Sequence, residues 1–280
     1  MNGRRIKEWL FWGACGVAAL GIAGPAISVL VSIFHQAAPI FSWHLFTTNT
    51  GQGGIKNAII GTLYLLLGVL VVAGTVGVGG GIWLAEYATG RIGQQLRFYS
   101  EVLAGMPSIV IGYVGYTTFV VSFGWGYSYL AGVIALSALV LPYIVKTTEV
   151  ALRQVPTFLR EAGVGLGLPH STVLWKVLIP PALPAIVSGI IIALAISTGE
   201  LAPLLFTVGF TDNNPSLGLI GKQVPYLTDV TYTDLQLPGA QAHYRSAAAG
   251  AVTLILLLLL ILVGRLVTRR SVRATKRMAL

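Results

Sequence analysis

Few side chains in this sequence could do chemistry, and their spacing gives them no shared reaction. The four histidines, His35, His44, His170 and His243, are widely separated, whereas a metal cage needs ligands that converge. Cys15 is the single cysteine and lies in an apolar run. It allows no internal disulfide and no thiolate cage, and reads as a small packing residue. No Gly-x-x-x-x-Gly-Lys-Ser/Thr run occurs, so the chain has no P-loop of its own. No serine, histidine and acid meet at an elbow motif. The run TVGVGGG (75–81) is glycine-rich but lies inside an apolar stretch, not between a strand and a helix. The expectation is a chain that is not an enzyme, with no catalytic residue, cofactor or metal. Two features remain: the polar interval Glu161–Pro180 and one acid, Glu200, inside an apolar segment.

The elements that must position them are membrane spans. Of the 280 residues 55% are hydrophobic and only 10% charged, with a mean hydropathy of +0.80; soluble domains carry about 25% charged residues. Six segments are long enough to cross about 30 Å of hydrocarbon, near 9–34, 56–84, 99–123, 128–147, 182–208 and 246–268. Each should be helical, because lipid offers the backbone no hydrogen-bond partners. The expected fold is therefore all-α, a polytopic bundle of six transmembrane helices forming one domain over 1–280. Pro25, Pro107, Pro142 and Pro203 predict kinks or irregular turns. The first apolar run exceeds the roughly 7–15 residues of a signal-peptide core, so it reads as an uncleaved span.

Charge placement orients the bundle. Fifteen of the 18 Lys and Arg residues fall on one side, and only Lys56, Lys222 and Arg245 on the other. The positive-inside rule then puts both termini and the loop over 150–181 in the cytoplasm. The net charge of +9 is accounted for by this asymmetry, not by nucleic-acid binding. The basic tail Arg269–Arg277 reads as an orientation signal held at anionic lipid headgroups. Two long loops, 35–55 and 209–245, are left outside, and the apolar patch Leu217–Leu227 reads as an interfacial or re-entrant piece or an ordinary solvated loop.

Within 150–181 the pattern predicts two short helices across the cytoplasmic ends of the spans. Leu152–Gly167 has helical spacing with an early break at Pro156. Gly163, Gly165 and Gly167 weaken it, each by about 1 kcal/mol against alanine. Pro169 turns the chain, Ser171 or Thr172 can cap a second helix over Val173–Leu178, and Pro180–Pro181 end it. Such an element suits a groove on a partner protein.

This interval resembles the EAA loop of bacterial ABC-importer permeases: Glu161, Ala162 and Gly163, then Gly167, then Val177, Leu178, Ile179 and Pro180, with Gly163 in place of the second alanine. Further stretches, GGIKNAIIGTLYLL (53–66), LAEYATG (84–90), LAGMPSIVIG (103–112), LPYIVKTTEVALRQVPTFLREA (141–162) and TGELAPLLFT (198–207), are similar to the permeases of the high-affinity phosphate importer. The resemblance implies a subunit forming half of a phosphate pathway in the bacterial cytoplasmic (inner) membrane. It also implies a second, different permease chain, two cytoplasmic ATPase subunits and an extracytoplasmic phosphate-binding protein. Glu161, Ala162, Gly163, Gly167, Val177 and Pro180 would form the ATPase-coupling loop.

Glu200 is the candidate for the translocation pathway. An acid at mid-bilayer costs about 2.5–3.5 kcal/mol on insertion scales, so it faces a partner or a wet path. The resemblance places it in a Gly-Glu-Thr-Ala-Pro-Leu-Leu motif, with Leu201 for the threonine, and expects an arginine where Ile196 stands. A phosphate path needs a cation to match its oxygens, so the cation would come from elsewhere. The competing readings are a permease for another oxyanion or small solute, a stand-alone secondary transporter and a membrane-embedded enzyme. The transporter would need several ionisable groups inside the membrane, and the enzyme would need a catalytic set.

Overall fold

A computed structural model describes residues 2–88, 90–216 and 218–278, with side chains characterised over 7–267 apart from 89 and 217. The basic side chains Arg4, Arg5, Arg269, Arg270, Arg273, Lys276 and Arg277, and Leu217 of the apolar patch, lie outside the described residues.

The described chain is helical, with short irregular links. Helix α1 covers Asn2–Ala37, α2 Trp43–Thr47, α3 Lys56–Glu86, α4 Gly90–Ala104 and α5 Ser108–Gly115. The last winds on as a π-helix over Tyr116–Ser122. Helix α6 covers Tyr129–Arg153, α7 Thr157–Gly165 and α8 His170–Gly199. Then come α9 (Ala202–Thr207), α10 (Leu227–Gln236) and α11 (Ala240–Met278). Five helices are long and apolar enough to cross a membrane: α1, α3, α6, α8 and α11. The bent pair α4 and α5 makes a sixth if it counts as one span.

Helix α3 packs along α6 with the two chains running the same way. Tyr129 and Val133 lie against Gly68, Ile144 against Gly77 and Thr148 against Gly81. Around this pair the central core gathers Leu65 and Val69 of α3, Leu136 and Val140 of α6, Ala193 of α8 and Leu204 of α9. Outward faces stay apolar, as at Leu63, Leu67 and Val71, which is what a lipid-facing surface requires. The spanning stretch of α1 is apolar on every side and buries nothing within the chain. It meets the bundle only near its end, where Ala37 joins Ala248, Ala249 and Ala251 of α11.

Two spans differ from straight crossings. The segment expected over 99–123 turns by 99° between α4 and α5, at Gly105–Met106–Pro107. Pro107 holds extended backbone (φ −58°, ψ 133°) and ends one helix before the next begins. The segment expected over 182–208 breaks at Glu200, whose ψ of 131° takes the chain out of the helix before α9 restarts at Ala202 and Pro203. In the other direction α8 is longer than expected. Pro180–Pro181 do not end it, because a π-turn over Val173–Leu178 resets the hydrogen-bond register just ahead of them. The prolines then sit where a helix start tolerates the missing N–H. The cap also differs: Pro169 precedes α8, and no hydroxyl of Ser171 or Thr172 caps it.

At the end of the bundle opposite α7, the 209–245 connection folds inward. Val224 and Tyr226 join the central core, and the Pro225 carbonyl fills the space that a Cβ on Gly61 would occupy. Only the end of the apolar patch, Val224 to Leu227, is held inside the bundle, as chain leading into α10, while Leu219 and Ile220 stay exposed. Asn57, fully buried, ties the layer together. Its Oδ1 accepts the Thr50 N–H at 3.0 Å, and its Nδ2 donates to Thr50 Oγ1 at 2.9 Å and to the Asp212 carbonyl at 3.0 Å. Arg245 of α11 donates to the Thr50 carbonyl at 2.9 Å and forks onto Asp234 of α10 at 2.5 and 2.8 Å. Replacing Asn57 by alanine strands several buried partners, and should lower stability by about 2 kcal/mol. Thermal unfolding in detergent, read against a Leu63→Ala control on the lipid face, measures this.

Candidate functional site

The loop between α6 and α8 carries an outward-facing helix, anchored by Gly163 on Val173 and by Leu159 and Arg160 beneath it. In α7, Glu161 and Ala162 are exposed, with Phe158 and Val164 beside them. Gly163 is buried, and a Cβ there would lie 2.9 Å from Val173 Cγ2. Helix α7 ends in a Schellman turn: the Leu168 N–H donates to the Gly163 carbonyl at 3.2 Å and the Gly167 N–H to Val164 at 2.9 Å. Gly167 is the left-handed residue of that turn, with φ +69°. Val177 is half-buried in the π-turn of α8, while Pro180 is exposed. Glu161, Ala162, Gly163 and Gly167 are thus brought together on one projecting element, and Val177 and Pro180 lie on the helix behind it. Leu166 and Trp175 extend the exposed apolar surface.

Beneath this element is an ion-pair cluster that local sequence pattern does not signal. The Glu86 carboxylate, at the end of α3, has no side-chain exposure. Arg160 of α7 forks onto it, with Nη2 donating to Oε1 at 2.8 Å and Nη1 to Oε2. The hydrogen bond to Glu86 raises the Arg160 guanidinium above its ordinary range. His170 Nε2 lies 3.9 Å from the same carboxylate. Next to it, Arg97 of α4 donates to Glu149 of α6 at 2.7 Å and to the Leu84 carbonyl of α3 at 2.8 Å. Arg153 also reaches Glu149, at 2.9 Å.

Glu200 lies at the other end of α8, about 30 Å from Pro180 along the 21 residues Ile179–Gly199. It is half-buried at the break before α9. Thr228 Oγ1 of α10 donates to its carbonyl at 3.1 Å, so the broken backbone is not left unpaired. Its carboxyl faces the hydroxyl of Ser108, the first residue of α5. The two helix breaks are therefore stacked, with Gly112 of α5 resting on the Ala202 carbonyl and Pro203. Among the described residues no cation lies within 4.0 Å of the Glu200 carboxylate. Ile196 packs against the core and lines a furrow with Leu257 and Ile261 of α11. Ser108 and Thr228 carry no sequence signal of this role, since neither is near Glu200 in the chain.

On the same side as α10, Asp229 is a buried acid. Burial pushes its carboxyl up to about 6; Thr233 and Tyr226 pull the other way and Asp234 adds to the rise.

A family model described as "Binding-protein-dependent transport system inner membrane component" matches residues 77–277. The chain belongs to that family of inner-membrane transport components, and its long apolar helices make it a multi-pass membrane protein. Among its relatives is the phosphate transport system permease protein PstA 2 of Mycobacterium bovis, 44% identical over 266 residues, 94% of this chain and 88% of that one. A probable ABC transporter permease protein, YqgI of Bacillus subtilis, is 37% identical over 213 residues, 74% and 72% of the two chains. The fold matches an inward-facing structure of the MetNI methionine ABC transporter with a TM-score of 0.61, at 18% identity, over 76% of this chain and 94% of that one.

Two measurements follow from these features. Gly167→Ala forces a side chain into the left-handed region, at a cost of about 1 kcal/mol. Hydrogen exchange should show the end of α7 opening more readily while α3 is unchanged. For Asp229, the folded pKa lies above the unfolded one. Its contribution is present at low pH and lost as pH rises through about 6. The thermal midpoint should fall across that window, and Asp229→Asn should flatten the fall.

Proposed function

We propose that the chain is the permease subunit of an ATP-driven importer of inorganic phosphate, forming half of the translocation pathway. The observation that carries the mechanism is the projecting α7, which presents Glu161 and Ala162 with exposed apolar neighbours while Gly163 anchors it on Val173. An exposed amphipathic helix of this kind fits a groove on a partner. The partner must supply the energy, because the chain has no P-loop. The assembly we infer contains two cytoplasmic ATPase subunits, a second permease of different sequence and an extracytoplasmic binding protein. The end with α7 faces the cytoplasm, as do both termini; that end also carries Arg97, Arg153 and Arg160, in keeping with the positive-inside rule.

The substrate is read from the phosphate permease relatives. In this reading Glu200 and Ser108 line the pathway where the two broken helices meet, as broken helices do in other transporters. Ile196 itself supplies no cation, and the furrow it faces is lined by Arg265 of α11 as well as by apolar residues; in this reading the cation opposite Glu200 comes from the second permease. This feature also motivates the competing reading of another oxyanion, which competition with labelled phosphate uptake separates.

The test is co-expression with the genes for the ATPase and the second permease. The chain should bring the ATPase through purification, and vesicles should take up phosphate only with ATP. Glu161→Lys should lower ATPase recovery by about tenfold or more, since reversing an interface charge costs at least 1–2 kcal/mol. Uptake without any ATPase would instead establish a self-contained transporter.

A further inference from the structure

Helix α7 is joined by the chain to α6 on one side and to α8 on the other, where His170 lies 3.9 Å from Glu86 of α3. The Arg160–Glu86 pair ties α7 itself to α3, across 74 residues of sequence. It does so at a point where the carboxylate is wholly enclosed and the guanidinium engages both of its oxygens. The same end of α3 is gripped from the far side by Arg97 of α4, through the Leu84 carbonyl. Helix α4 runs from there to the 99° break, and across that break Ser108 faces Glu200.

We propose that the Glu86–Arg160 pair, whose carboxylate is enclosed while its guanidinium is half-exposed, is a positioning strut, which makes α3, and through Arg97 the broken helix α4–α5, move with α7. The inference rests on the reading that an ATPase docks on α7. An ion pair with an enclosed carboxylate resists separation, because pulling it apart leaves a desolvated carboxylate without its partner. When α7 is displaced, α3 follows rather than the pair opening. Exposed pairs elsewhere lack this property: Lys146 and Glu101 are 3.7 Å apart with both side chains mostly in solvent, where solvent screens them and either can swing free. The strut therefore sends displacement along a route distinct from α8. That route ends at the same pair of helix breaks, so both converge on Glu200. Glu86 and Arg160 touch no substrate in this scheme and act only by position.

The test uses the assembled complex in proteoliposomes and measures ATP hydrolysed per phosphate taken up. Glu86→Gln and Arg160→Gln should each raise that ratio by about tenfold, the range over which a coupling residue acts, with the ATPase recovered at wild-type level. The double variant should be no worse than either single one, because both remove the same pair. A wild-type ratio in the single variants overturns the proposal. So does loss of the ATPase to the level of Glu161→Lys, because the pair would then only build the docking face. If Glu86→Gln does not accumulate, Arg160→Lys decides: it keeps the charge but loses the fork, and a wild-type ratio again overturns the strut. Should Glu161→Lys retain both ATPase and uptake, the docking reading itself falls and takes the strut with it, an outcome distinct from a normal ratio in the Glu86 variant alone.

Discussion

Every backbone amide and carbonyl that enters hydrocarbon needs a partner supplied by the chain, and this constraint organises the whole molecule. It makes the long helices obligatory. It also dictates where they can be interrupted. The break at Glu200 occurs where other elements cover it: Thr228 caps the Glu200 carbonyl, and Gly112 packs against the restart at Ala202 and Pro203. An interruption on the lipid face would have no such cover. At Glu200 the irregular backbone lies inside the bundle, where a pathway can be lined by polar groups that helices otherwise hide.

The same rule governs the re-entrant segment on the side away from α7. Residues 224–226 are not helical, yet they sit in the core. The backbone N–H of Leu227 donates to Thr62 Oγ1 at 3.0 Å, and the chain enters α10 directly afterwards. Asn57, Thr50 and Arg245 tie this layer to three other elements. At the α7 end, buried charge replaces buried amide. Glu86 and Glu149 are both enclosed and both held by arginines. The two ends are therefore held by polar networks while the middle relies on apolar packing. This division suits a bundle whose central helices must shift without its ends coming apart.

Much of the candidate site was legible in the sequence because it is local. Glu161–Pro180 announces itself by charge, glycine and proline between apolar runs, and a turn at Gly167 follows from composition over a few residues. Glu200 is conspicuous for being an acid among apolar neighbours. The expectation of a helix stopping at Pro180–Pro181 failed for a reason no window shows. A π-turn over Val173–Leu178 sits where α8 packs against Leu152 and Val155 in the adjoining core, and it moves the prolines into tolerated positions. The straight span expected over 99–123 failed in the same way, since apolar content fixes membrane preference but not direction.

Hydropathy and charge placement determined by themselves that the chain is a helical membrane protein, which end of it is basic, and which interval projects from that end. These follow from transfer free energies and charge counts that each residue carries wherever it lies. Only the tertiary structure decided which polar groups pair. Glu86 with Arg160, Arg97 with Glu149 and Ser108 with Glu200 join residues distant in sequence, and enclosure of the Glu86 and Glu149 carboxylates strengthens the two ion pairs.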